Sequence, residues 1–433
     1  MENEGKKGGS VLAIAVMFAL FFMIAFVTNF ASPMGVIAKN QFNASNALSQ
    51  LGNAANFIAY LFMGIPGGLI LKRKGYKFTA LAAVAVGFTG VGIQLASGYL
   101  GSFAVYVAGA FVAGFSMCML NLVVNPMLNT LGGGGNKGNQ LVQFGCSLNS
   151  VGATLSPAVL GWLIGEITKD TSFIKAAPAL MIAMGIFAFA FVVVALSKIP
   201  EPHIETAEEK ALRLSGGSSV LRDIVETLKF RHFTFGALAI FFYIVIEVGV
   251  PSMAFLYMTD CVKDAAGEIV SKGPGYVGGA VAGAVCGAYW FLMMVGRLLG
   301  GVVGGKVSSR TQVTFLASLG IALLLAAMFV PVRMVTVFGY QFPLSMACMV
   351  AVGLCTSVMW GGIFNMAAEG LGKYVPMGSG IFMAMVFGGI LIPVQGLIAD
   401  KVGILNSYWL SIGLLAYVLF YSLVLSIPSK RAS

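Results

Sequence analysis

Twelve times along this chain a run of about twenty apolar residues recurs, long enough for a helix to cross a hydrocarbon core of about 30 Å. The runs lie near 11–37, 49–71, 78–98, 103–130, 141–165, 176–197, 233–258, 276–303, 313–332, 342–366, 377–399 and 407–427. Lipid offers no partner for a backbone N–H or C=O, so only helices or a closed barrel can cross it. The alternation of a barrel strand is absent from these runs. The chain therefore reads as an all-α membrane protein with twelve transmembrane helices. With 10% charged residues and a mean hydropathy of +0.91, it carries too little charge to coat a soluble fold of 433 residues. The first run follows the polar tail MENEGKKGGS. It is longer than a signal-peptide core and shows no small-residue cleavage site, so it is expected to be retained as a span.

An even number of spans places both ends on one side. Lysines and arginines crowd the loops of that side: Lys72, Arg73, Lys74 and Lys77 in one loop, a cluster from Lys198 to Arg231 in the central linker, then Lys306 and Arg310. The opposite loops hold few, among them Lys39, Lys169 and Arg333. By the positive-inside rule both termini are cytoplasmic. The expected setting is a bacterial inner membrane, with the lipid bilayer as partner. The net charge of +10 comes from this bias and is not gathered on one folded face, so no nucleic-acid partner is expected.

Six scattered cysteines give neither a disulfide framework nor a metal spacing. The two histidines, His203 and His232, lie in or beside the linker and do not suggest a zinc site. GGGGNKGN resembles a phosphate loop, but it lacks the Gly-Lys-Ser/Thr ending and no strand precedes it. No cofactor, metal or catalytic constellation is expected, and the chain does not read as an enzyme.

The polar stretch from Ser197 to Arg231 divides six spans from six, and the two sets echo one another. Span 5 reads VGATLSPAVLG and span 11 reads FGGILIPVQG. Span 4 reads NPMLNTLG and span 10 reads NMAAEGLG, matching Asn125 with Asn365. NFASP in span 1 matches EVGVP in span 7, which aligns Pro33 with Pro251 and places Asn29 opposite Glu247. The expected organisation is an N-terminal six-helix half over 1–197, a cytoplasmic linker over 198–232 and a C-terminal six-helix half over 233–433. This organisation resembles the major facilitator architecture of two pseudo-symmetric halves, and the resemblance implies that spans 1, 4, 7 and 10 line the cavity. Pro33, Pro126 and Pro251 would kink spans 1, 4 and 7.

Four stretches carry a closer resemblance: GIPGGLILKRKGYK; VVNPMLNTLG with SLNSVGATLSPAVLGWLI; FFYIVIEVGVPSMAFLYM; and NMAAEGLGKYVPMGSGIFMAMVFGGILIPVQGLIAD. In them the chain resembles the fucose–galactose–glucose:proton symporter family of the major facilitators. The resemblance implies sugar import by alternating access. It also shows departures. Where proton-coupled fucose members carry a carboxylate in span 1 and another in span 4, this chain has Ser32 and Asn121. Cys146 replaces a span-5 glutamine, and Asn149 is kept.

Glu247 lies about fourteen residues into its span, near mid-membrane at about 1.5 Å per residue. A charge facing lipid there costs at least about 2.5–3.5 kcal/mol, so it must face protein or a water-filled cavity. It is the expected cation-coupling residue, and the bland reading is a protonated or purely structural acid. Amides both donate and accept, which suits a neutral polyhydroxylated ligand. The expected substrate residues are Asn29, Asn121, Asn125, Gln143, Asn149 and Asn365, with Tyr243, Glu247 and Trp360. Singly, such amides serve equally well as interhelical glue, and the aromatics as core. Arg297 is expected in a gate on the cytoplasmic side with Arg73, Glu369 and Lys373. The other reading of Arg297 is a charge that pairs with an acid during alternation. The glycines Gly275, Gly279, Gly283 and Gly287 form a row suited to close helix packing.

The function these residues point to is a secondary active transporter importing a neutral monosaccharide or small oligosaccharide, coupled to protons and working as a monomer. Sodium coupling and an uncoupled sugar uniporter remain open, because the two family carboxylates are absent. An exporter of amphiphiles would want fewer amides in the cavity, and a receptor would want a soluble domain.

Overall fold

A computed structural model describes residues 2–28, 37, 41, 51–164, 173–202, 204–214, 220–263, 269–331 and 333–428. Helix α1 (Glu2–Thr28) begins ahead of the apolar run. Helix α2 (Leu51–Leu100) holds spans 2 and 3 in one 50-residue rod, bent where Gly75 takes φ +84°. Only glycine adopts that backbone freely, and a side chain here would also strike Glu201. The Glu201 carboxylate accepts the main-chain N–H of Tyr76 at 2.5 Å and of Lys77 at 2.9 Å, satisfying donors at the start of span 3.

Spans 4, 5 and 6 are α3 (Phe103–Leu131), α4 (Gly135–Ile164) and α5 (Phe173–Leu196). The linker carries α6 (Ala207–Leu214) and α7 (Val220–Leu228). Spans 7, 8 and 9 are α8 (Arg231–Thr259), α9 (Gly279–Gly304) and α10 (Ser309–Phe329). Span 10 is broken at Ser357 and Val358 into α11 (Leu344–Thr356) and α12 (Met359–Ala368). Span 11 joins α13 (Val375–Ala384) to α14 (Ile392–Val402) through a tighter 3-10 turn over Met385–Leu391, and α15 (Tyr408–Phe420) forms span 12.

Two short antiparallel hairpins cap loops away from the linker: β1 (Cys261–Lys263) with β2 (Ile269–Lys272), and β3 (Met334–Val337) with β4 (Tyr340–Pro343). Phe338 and Gly339, at φ +49° and +81°, make the two-residue turn of the second. No strand is legible from the sequence in these loops.

On the linker side the halves meet along two seams. The first half of α2 packs on α13, and α4 packs on α9. Gly64 and Gly68 bring the α2 backbone against that of α13: a methyl group on Gly64 would stand 2.6 Å from the Gly380 carbonyl oxygen, and one on Gly68 2.7 Å from that of Pro376. The glycine row expected to pack was a different one. Gly283 and Gly287 on α9 face open space, because that face of the helix looks outward, while Gly275, ahead of the helix, does pack closely, against the Tyr257 ring. Gly296, Gly300 and Gly301 carry the close packing of α9, against Ser357, Val358 and Phe144.

Candidate functional site

Pro251 lies inside α8 and has no N–H to give the Glu247 carbonyl four residues back. Tyr289 on α9 supplies the missing donor: its hydroxyl donates to that carbonyl at 3.0 Å and lies 3.1 Å from Thr356 Oγ1. Tyr408 donates to the neighbouring Val250 carbonyl at 2.9 Å. Two tyrosines thus bond main-chain carbonyls beside Pro251, and the Glu247 side chain reaches Arg297 on α9.

Arg297 Nη2 donates to Glu247 Oε1 at 2.9 Å, and the two side chains are only 10% and 12% exposed. The guanidinium also donates to Ser150 Oγ at 2.6 Å and to the carbonyls of Cys146 and Ser357, each at 3.4 Å. Glu247 and Ser357 belong to the C-terminal half, and Cys146 and Ser150 to α4 of the other. Arg297 was expected at the linker-side gate. The structure places it instead on Glu247, because α4 and α9 lie close enough for its head to bridge α4 and α8. A buried pair of this kind is costly to form and costlier to break by losing one partner. Tyr243, one turn before Glu247, is fully buried, and its hydroxyl sits in the field of both charges without a well-formed hydrogen bond.

From this pair a line of polar and aromatic groups crosses to the N-terminal half. The rings of Tyr243 and Trp360 lie 6.4 Å apart. The Trp360 indole N–H donates to Asn125 Oδ1 at 3.1 Å. Asn125 Nδ2 donates to the Asn121 carbonyl at 2.9 Å, and Asn121 Nδ2 to the Tyr60 hydroxyl at 3.0 Å. Asn121 and Asn125 share a face because they are four residues apart on α3. Four of the expected substrate residues, Asn121, Asn125, Trp360 and Tyr243, therefore join Glu247 in one cluster.

Other expected residues lie elsewhere. Asn149 donates to the Phe21 carbonyl at 3.1 Å and ties α4 to α1. Gln143 donates to the Val358 carbonyl across the halves at 2.9 Å. Asn365 accepts from Asn129 at 2.7 Å, also across the halves, and donates to Ser309. Asn29, Ser32 and Pro33 lie outside the described residues. Among the described residues, no ion pair joins Arg73, Glu369 and Lys373 to one another. Arg73, Glu369 and Lys373 are exposed; the Glu369 carbonyl meets the His232 ring, and Lys373 lies over Tyr374. Lys72, one residue earlier and turned inward, makes the bridge to the linker at Asp223, 2.7 Å away.

Ser150, Tyr60 and Asn129 were missed as candidates. Asn129 had a signal, since it follows Asn125 by one helical turn. Nothing in the local sequence marks Ser150 or Tyr60.

Comparison with known proteins agrees with the architecture. A glucose/galactose transporter of Brucella abortus is 26% identical over 95% of this chain and 93% of its own length. A putative glucose/galactose transporter of Helicobacter pylori is 27% identical over 96% and 98%. The crystal structure of the Escherichia coli fucose:proton symporter superposes with a TM-score of 0.79, at 17% identity, covering 96% of this chain and 98% of that one. The sequence model of the Major Facilitator Superfamily matches residues 14–333, well over half of the chain. With two six-span halves joined by a linker, and with that match, the chain belongs to the Major Facilitator Superfamily.

Proposed function

We propose that the protein imports a neutral monosaccharide or small oligosaccharide by alternating access, coupled to protons. The observation that carries this reading is the continuous line Asn121–Asn125–Trp360–Tyr243–Glu247–Arg297. Its first part is uncharged, donates and accepts hydrogen bonds, and includes an aromatic face on which the C–H side of a sugar ring can stack. Its second part is a buried acid with a counter-ion that also holds the other half. Relatives named as glucose/galactose transporters support the sugar assignment. The L-fucose-proton symporter of Escherichia coli, 22% identical, supports coupling to protons.

The substrate set is Asn121, Asn125, Tyr243 and Trp360, together with Asn29, Gln143, Asn149 and Asn365 where the halves rearrange. Glu247 exchanges the coupling proton. While its carboxylate is charged, Arg297 is held between it and Ser150, and the seam of α4 on α9 stays shut. When it takes up a proton, Arg297 loses its counter-charge and only neutral acceptors remain to hold it. The linker side is cytoplasmic by the bias of lysine and arginine in its loops, both termini lie there, and the setting is a bacterial inner membrane. The transporter acts as a monomer.

Sodium coupling is the second reading, favoured by Asn121 and Ser32 standing where the resembled family has carboxylates. Uptake into proteoliposomes under an imposed proton gradient, then a sodium gradient, tests both. D-glucose, D-galactose and L-fucose are the first substrates to try. Accumulation driven by protons alone supports the main reading, accumulation driven by sodium alone the second, and no uptake of any sugar overturns the assignment.

A further inference from the structure

The seam of α4 on α9 buries an amide that nothing satisfies. Asn139 is fully buried, and among the described residues neither its Nδ2 nor its Oδ1 has a hydrogen-bond partner. One turn along α4, Gln143 is fully buried too; its Nε2 reaches the Val358 carbonyl, but its Oε1 has no partner. Two more amides stand beside them. A methyl group on Gly304 would lie 3.5 Å from Asn139 Nδ2 and 3.6 Å from Gln312 Nε2, and one on Gly305 would lie 3.1 Å from Gln140 Oε1. Asn139, Gln140 and Gln312 thus face Gly304 and Gly305, and Gln143 faces Gly361; Gln312 Nε2 donates to the Val307 carbonyl at 2.8 Å, while three polar atoms of Asn139 and Gln143 have no partner among the described residues.

A buried polar atom without a partner is unfavourable, and nearly all such atoms in folded proteins find one. A packing role alone would be served better by alanine or leucine. These amides sit on the linker side of Arg297, where the two halves must separate to release cargo in that direction. Parting α4 from α9 opens the space between them and turns the unpaired atoms toward whatever passes. Each amide offers both a donor and an acceptor and no charge.

We propose that Asn139, Gln140, Gln143 and Gln312 form a second carbohydrate subsite on the linker side, which holds the hydroxyls of a neutral sugar as it leaves the central cluster. The subsite rests on the sugar-transport reading. It is shut in the present arrangement and forms as the seam opens, so the unsatisfied amides favour opening and the departing sugar satisfies them.

The test is sidedness. Full-length protein is reconstituted in vesicles of defined orientation, and the KM for radiolabelled D-glucose, D-galactose and L-fucose is measured separately from each face. Asn139→Ala removes no hydrogen bond of the closed seam, and it is expected to raise the linker-side KM about five- to tenfold while the opposite-side KM stays within about twofold. Gln140→Ala, at a half-buried position, gives the same asymmetry in a second variant should the first fail to fold. An equal change from both faces, or an unchanged linker-side KM, overturns the subsite and leaves the central cluster standing. Wild-type vesicles that carry none of the three sugars from either face overturn the sugar reading itself, and the subsite with it.

Discussion

Arg297 stands 2.9 Å from Glu247 in its own half and 2.6 Å from Ser150 in the other. One guanidinium therefore joins the charge balance of the C-terminal half to the contact between halves. A change of charge on Glu247 is felt directly at the seam of α4 on α9.

Replacing Glu247 by Gln keeps the shape and removes the titratable carboxyl group. Uphill accumulation in proteoliposomes is expected to vanish, with counterflow exchange retained. Accumulation that persists in Glu247→Gln would show that coupling runs through another group.

Arg297→Gln leaves the Glu247 carboxylate buried without its counter-ion. Losing one partner of such a pair destabilises by about 3–5 kcal/mol, whereas replacing both is far milder. The single variant is expected to melt well below the wild type in detergent, and Glu247→Gln with Arg297→Gln to recover most of the loss. A double variant no more stable than the single one contradicts the pairing.

Tyr289→Phe deletes the hydroxyl that satisfies the carbonyl freed by Pro251. The expected cost is about 1–3 kcal/mol, the penalty of an unsatisfied buried acceptor. Because that carbonyl belongs to Glu247, the variant should also slow proton-driven uptake more than exchange, a split that measuring both on one preparation would reveal.

Gly64→Val puts a side chain where the Gly380 backbone now lies. The linker-side seam between α2 and α13 cannot then close. Transport is expected to fall more than tenfold, and a cysteine engineered near that seam should label from the linker side. Wild-type turnover in Gly64→Val would show that the contact is dispensable.

Much of this was legible in the sequence because bilayer physics is severe. Most spans follow from hydropathy, and the free carbonyl of Glu247 follows from the N–H that Pro251 lacks. Asn121 and Asn125 share a face by helical periodicity alone. The place of Arg297 was not legible. Counting residues along span 8 locates its backbone near the linker side, but the head of the side chain goes where α4 offers Ser150 and α8 offers Glu247, and those approaches are set by packing between distant segments. The bridge made by Lys72 and not by Arg73 is likewise a matter of rotation about a helix axis, which a charge cluster does not specify. The hairpins at Cys261–Lys272 and Met334–Pro343 escaped notice because strands of three or four residues carry almost no period.

Where Gly64 and Gly68 meet α13, the two halves touch main chain to main chain. No rotamer is frozen when that joint shuts and none is released when it parts, so side-chain entropy stays out of this stretch of the cycle. Carbonyl oxygens and α-hydrogens offer fixed relief in place of movable knobs, and such surfaces mesh in one register. The alignment of the shut state is therefore specified by what these glycines lack.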